Sequence, residues 1–241
     1  MQGNDMRYED EDFYNHSDRR MMILASDEIR EAIVDGRLRN GEILYPDAIV
    51  EHYGVSVPTA TAIISQLRDE SLVRKEASYE HDAVNFHAHE VMTLGQQRLR
   101  LEMAAIRCSA RRTLNPYLSR CNRSIRTCKA SDQIRPKLKS NVEALIYLYA
   151  CVDNESDLKR IGITIRRFSK YLICLWRDER RQDEYLKDIR MIVKLCKAND
   201  VEGAAEMVGQ HISKITTAIL AELGRRERES LSAAMGPGRA A

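Results

Sequence analysis

Proline and glycine are scarce in this chain, five and eleven of 241 residues, and aromatic side chains make up only 6%. So few breakers leave little room for a turn-rich architecture. Long Leu, Ile, Ala, Arg and Glu stretches at helical spacing predict a mostly α-helical protein instead. No apolar run approaches the roughly 18 residues a membrane helix needs, so no membrane partner is expected. The first residues, MQGNDMRYEDEDFYNHSDRR, lack a basic segment followed by an apolar one, which argues against secretion and for a cytoplasmic protein. The six cysteines, Cys108, Cys121, Cys128, Cys151, Cys174 and Cys196, form no CxxC pair and no zinc-finger spacing. All fall in expected helices, where buried free thiols account for them. Also missing are a nucleophile elbow, a phosphate loop, a zinc motif and a workable carboxylate pair, so no enzyme is expected.

What is present suffices for a packed core and a soluble surface: 44% hydrophobic residues and 31% charged ones. The length allows one large domain or two modest ones. The net charge of +2 hides a split. Residues 1–88 hold 9 Lys/Arg against 18 Asp/Glu, a net of −9, and residues 89–241 hold 29 against 18, a net of +11.

Residues 1–16 are acidic, polar and without an apolar period, and read as a flexible tail. From Ser17 a first helix places Met22, Ile23, Ile29, Ile33 and Val34 on one stripe, with Gly36 as its stop. Residues 37–45 form a short extended link, and Pro46 opens a helix that ends at Tyr53. After the Gly54-Val55 turn, Ser56 caps a third helix, Pro58 to Glu70, with Ala62, Ile63 and Leu67 inward. Leu72–Lys75 and Ala83–Phe86 can pair as a wing. Helices follow at about 88–113, 116–129, 137–152, 155–177, 181–198 and 201–228, separated by Asn-Pro, Arg-Pro, Asp-Asn and Asn-Asp breaks. The expected organisation is a winged helix-turn-helix over 17–87, then an all-α antiparallel bundle of about six helices over 88–229. The end of the chain, 230–241, reads as a second flexible tail.

These residues resemble the GntR family of bacterial transcription regulators, in the branch with an all-helical ligand-sensing (FCD) domain. The likeness is carried by IREAIVDGRLRNGEIL, by HYGVS, and by Leu67, Glu70, Leu72 and Val73 in an L-x-x-E-x-LV ending. It continues through Arg98, Glu102, Ala104 and Ala105, and through the Ala198 to Ile212 stretch. The resemblance implies a homodimer that binds double-stranded operator DNA and responds to a small, often acidic, metabolite.

Departures from the family pattern are as informative. The recognition helix of such regulators carries V-S-R-x-x-x-R, with one more arginine ten residues earlier. A guanidinium there can bond a guanine bidentately or neutralise a phosphate. Val57, Thr61 and Asp47 stand at those positions. The hairpin EASYEHDAV lacks the usual glycine and offers Glu76, Glu80 and Asp82. The candidates left for DNA are Ser56, Thr59 and Thr61 through their hydroxyls, with Gln66, Arg68, Arg74 and Lys75, and with Arg37 and Arg39 as candidates to flank the backbone.

The sensing domain departs in the same way. The branch often holds a divalent metal with one Asp and three His, and the matching positions are Asn141, Leu145, Ile189 and His211. One histidine cannot anchor a transition metal. His16, His52, His81, His87 and His89 do not join it on one helix, so no metal and no cofactor are expected. Arg98, Asn141 and His211 remain as candidate contacts for a small anionic effector.

Residues 98–139 hold 12 Lys/Arg against Glu102 and Asp132. This basic run admits three readings: a solvated face balancing the acidic domain, an anionic effector site, or a surface for nucleic acid or an acidic partner. Without interleaved aromatics, single-stranded nucleic acid is the least favoured. The whole sequence is therefore read as a GntR-type regulator with altered DNA contacts. The alternative is a regulator-derived protein that has lost ordinary DNA reading and works through protein–protein contact.

Overall fold

The computed structural model describes residues 6–35, 37–76, 81–112 and 115–235, with side chains described for those between 19 and 229. The stop expected at Gly36, the hairpin tip 77–80 with Glu80, and residues 236–241 lie outside the described residues. The chain divides into two compact units, Met1–Phe86 and His87–Ala241.

In the first unit α1 spans Met6–Val34 and so begins within the segment read as a tail. No proline or glycine interrupts residues 6–34, and once a helix is nucleated each added residue gains a hydrogen bond. Ala25, Ile29, Ala32, Ile33 and Val34 are buried, whereas Ile23 is 50% exposed and leaves the expected stripe. Six residues separate Ile23 from Ile29, which puts them about 120° apart around the helix.

Pro46 fills the first turn of α2 (Pro46–Tyr53), where its missing N–H loses no bond. Gly54 ends α2 in the left-handed region at φ 64°, a conformation that suits glycine, and its N–H donates to the Val50 carbonyl. Helix α3 (Val57–Asp69) buries Ala60, Ile63, Ile64 and Leu67, an i, i+3, i+4, i+7 stripe in which Ala60 replaces the expected Ala62.

The wing is a three-stranded antiparallel sheet in the order β1 (Ile43–Leu44), β3 (Asp82–Val84), β2 (Val73–Lys75). Ile43 pairs with Ala83 on one side, and Arg74 pairs with Ala83 on the other. Strand β1 falls where the sequence suggested only an extended link.

The second unit is all-helical: α4 (Ala88–Arg112), α5 (Asn115–Ala130), α6 (Ile134–Leu148), α7 (Glu155–Ser169), α8 (Ile173–Trp176), α9 (Glu179–Lys197) and α10 (Val201–Met235). Asn154 and Asp178 cap α7 and α9 by accepting from the backbone N–H groups of Ser156 and Arg180. Asn199, at φ 56°, closes α9, and Asp200 accepts from Gly203 N–H as α10 starts. Helices α4 and α10 approach closely at Gly95, where an added Cβ would lie 2.7 Å from Thr216 Oγ1.

The single helix expected over 155–177 is broken. A 3-10 turn at Lys170–Leu172 follows α7. There the Lys170 ammonium meets Glu90 of α4 at 2.8 Å, and the Tyr171 hydroxyl donates to the same carboxylate at 2.7 Å. Burial alone would raise the Glu90 pKa, but Lys170, Tyr171 and Arg167 together hold it below the usual value.

The six cysteines are free thiols; Cys108 is exposed and Cys151 half-buried, contrary to uniform burial. Burial raises the thiols of Cys121 and Cys174 to about 12, which makes them unreactive. Among the described residues no helix is long and apolar enough to cross a membrane.

Candidate functional site

The first turn of α3 is built by Ser56. Its backbone is extended, and its hydroxyl accepts from Thr59 N–H at 3.3 Å and lies 2.8 Å from Thr59 Oγ1. Thr61 donates its hydroxyl to the Val57 carbonyl at 3.0 Å, one turn back along the helix. Ser56, Val57, Pro58, Thr61 and Ser65 are exposed, so the side of α3 opposite the core is uncharged through these turns. Val57 alone is 55% exposed. Gln66 is half-buried farther along the helix.

The cationic candidates are largely engaged within their own unit. Arg68 clasps Asp82 of β3 with a two-point fork, Nε to Oδ1 at 2.8 Å and Nη2 to Oδ2 at 2.5 Å. Asp82 is 6% exposed and is thus turned toward Arg68, not outward as an exposed wing anion. Arg74 lies 3.4 Å from Glu76. Lys75 is exposed and has no ion pair among the described residues. Arg37 faces Asp35 at 4.0 Å, and Glu42 accepts from the Arg39 backbone N–H.

A further charge pair fixes the frame. Buried Arg30 of α1 forks onto Glu70 at the end of α3, at 2.7 and 2.9 Å. Burial opposes the Arg30 charge, and Glu70 with Asp27 outweighs it. Asp47 is exposed in the first turn of α2, where a carboxylate complements the helix dipole.

In the helical unit Arg98, Asn141 and His211 come from α4, α6 and α10 and are all buried. Tyr185 of α9 links two of them: Asn141 Nδ2 donates to its hydroxyl at 3.1 Å, and the His211 ring packs edge-on at 4.6 Å. Burial pushes the Tyr185 hydroxyl up to about 12, against the opposing pull of Arg98. Trp176 packs on Tyr185 at 5.2 Å.

Arg98 does not offer a free cation. Its guanidinium bonds Glu102 at 2.5 and 3.1 Å and lies 4.7 Å from the centre of the Phe168 ring. Tyr149 donates to the same carboxylate at 2.7 Å. The Arg98 charge is thus balanced by Glu102 one turn along the same helix.

Of the two rings packed on Tyr185, each has one buried nitrogen with no hydrogen-bond partner among the described residues, Trp176 Nε1 and His211 Nε2. His211 Nδ1 faces Asp188 at 3.2 Å, and burial lowers the His211 pKa despite that carboxylate. The neutral ring then carries its proton on Nδ1, an assignment inferred from the Asp188 contact, and Nε2 is a lone-pair acceptor. Burial of unpaired polar atoms is costly, so such atoms point to a ligand or a water.

The metal-site positions do not suit a metal. Leu145 and Ile189 are buried hydrocarbons, the Asn141 amide is turned to Tyr185, and His211 is turned to Asp188. Among the described residues no group of three or more His, Cys, Asp or Glu is placed to hold an ion.

Sequence reading missed Tyr149, Trp176, Tyr185 and Asp188. Only Glu102 carried a signal, its i+4 spacing from Arg98.

No family model and no curated protein sequence matches this chain. Several solved structures do. McbR/YncC of E. coli is 15% identical, covering 84% of this chain and 98% of its own, with a TM-score of 0.56. Lar, which controls expression of the Listeria monocytogenes agr system and mediates virulence, is 16% identical over 82% of this chain and 95% of its own, TM-score 0.55. A protein named as a GntR transcriptional regulator from Rhodococcus sp. RHA1 is 19% identical over 84% and 98%, TM-score 0.54. At such identities the likeness is one of fold, a winged helix-turn-helix followed by a helical unit.

Proposed function

We propose that the chain is a transcription regulator of the GntR type that binds duplex DNA as a homodimer, its helical unit acting as an FCD-like sensor of a small molecule. The observation that carries this reading is the outer face of α3, which its own unit leaves unpacked within a winged frame. The fold likeness to the Rhodococcus regulator supports it.

Contacts to DNA in this reading are not arginine-based. The Ser56–Thr59 hydroxyl pair donates to a phosphate oxygen, Val57 and the methyl of Thr61, whose hydroxyl is turned back to the Val57 carbonyl, meet thymine methyl groups, and Lys75 supplies charge at the wing. Exposed Ile163 in α7 is apolar surface available to a second copy.

The sensed molecule accepts a hydrogen bond from Trp176 and donates one to His211, and is neutral, because Glu102 already balances Arg98.

A second reading is favoured by Asp47 and Val57, which stand exposed where cations would serve DNA: a regulator-derived protein working through protein contact. Selection of genomic fragments by purified protein separates the two, with Asp47→Arg/Val57→Arg/Thr61→Arg as comparison. Enrichment by wild type supports the first reading. Enrichment by the triple variant alone transfers the conclusion to the second.

A further inference from the structure

Helices α5 and α6 form a hairpin, residues 115–148, with seven Lys/Arg against Asp132 and Glu143. Within it some cations are engaged. Lys129 meets Asp183 at 2.8 Å, and Lys137 donates to Gln182 at 3.1 Å. Three others on α5 are not ion-paired among the described residues: Arg120, Arg123 and Arg126, all exposed. At i, i+3 and i+6 they advance about 4.5 Å per step and stay within about a third of the helix circumference. Arg120 lies over the Tyr147 ring at 5.8 Å, which orients its guanidinium. Exposed Ser119 and Thr127 flank the row, and exposed Lys139 of α6 adds charge on the neighbouring helix.

We propose that the outer face of α5 is a separate DNA-binding surface that grips the phosphate backbone of duplex DNA without reading sequence. The row is arginine, whose fork suits phosphate oxygens. A protein partner is disfavoured because the large exposed hydrophobic residues, among them Val57, Met92, Ile163 and Met191, include none on α5, and protein interfaces centre on apolar or aromatic anchors. Tyr117 and Tyr147 are half-buried, which leaves no stacking platform for single strands. The surface does not depend on α3 reading bases.

Binding of the full chain to a labelled duplex of arbitrary sequence, titrated over roughly 50 to 200 mM salt, tests this. Arg120→Gln/Arg123→Gln/Arg126→Gln should reduce the log–log salt slope by roughly 2 to 3, at about 0.9 per lost phosphate contact, and weaken low-salt binding at least about tenfold. The matching triple lysine variant should retain most of both. Lys75→Gln in the wing separates this surface from the regulator reading: if it weakens binding and the α5 variant does not, the regulator reading stands and the α5 surface is wrong. A lysine variant as impaired as the glutamine one would also overturn the proposal. So would wild-type binding to polyglutamate in preference to duplex, which would indicate an acidic protein partner, or no duplex binding at all.

Discussion

Glu102→Gln would keep the size of the side chain and remove the charge that Arg98 faces. Both side chains are 1% exposed. The carboxylate accepts three hydrogen bonds, two from Arg98 and one from Tyr149. A glutamine oxygen can keep part of this set, but its amide turns donors toward donors. Breaking a buried pair by removing one partner costs about 3–5 kcal/mol, and the retained acceptor places this variant near about 3 kcal/mol. For a protein of this size each kcal/mol moves the midpoint by about 2–4 °C, so a loss of roughly 6–12 °C is expected. The sole tryptophan, Trp176, lies in the helical unit, and its fluorescence during urea denaturation reports that unit. Arg98→Met/Glu102→Met/Tyr149→Phe should return to within about 1 kcal/mol of wild type, because an apolar set leaves neither a stranded charge nor the Tyr149 hydroxyl without its acceptor. A loss below about 1 kcal/mol for Glu102→Gln would refute the paired-charge account.

Three further outcomes are expected. Ser56→Ala should cost about 1 kcal/mol in the first unit by removing the α3 cap, seen as faster amide exchange in the first turn of that helix; unchanged exchange would deny the cap a role. The lowered His211 pKa favours the neutral folded state, so its contribution is present above pH 6.5 and is lost as pH falls from there through the lowered folded value. His211→Gln should flatten that acid-side decline, and a profile identical to wild type would count against it. Elemental analysis of purified protein should find no stoichiometric zinc, nickel or manganese, and an ion lost on His211 substitution would contradict the donor-set argument.

Local chemistry made the winged helix-turn-helix frame legible. Pro46, Gly54 and Ser56 each act on their own turn, setting the start and end of α2 and the start of α3. Long-range chemistry was not legible. Strand β1 is two residues long and exists because β3, some forty positions later, pairs with it. The break at Lys170 follows from Glu90, eighty residues earlier, and no helix breaker marks it. Arg135-Pro136 suggested a boundary, yet α6 starts at Ile134 and takes Pro136 into its first turn, where a missing N–H is harmless. At the candidate sites, Arg68 and Arg98 appeared as available cations. Only the structure places Asp82 and Glu102 against them.

Under the proposed function, this winged frame binds DNA with Asp47, Val57 and Thr61 where the GntR pattern it resembles has arginines. Salt titration of binding to a duplex selected by the wild-type protein, beside Asp47→Arg/Val57→Arg/Thr61→Arg on the same duplex, measures it directly. Wild-type binding should be weak, and the slope should be steeper by roughly 2 to 3 in the variant, at about 0.9 per added phosphate contact. Nanomolar, sequence-specific binding by wild type, with a steep slope that the added arginines leave unchanged, would contradict it.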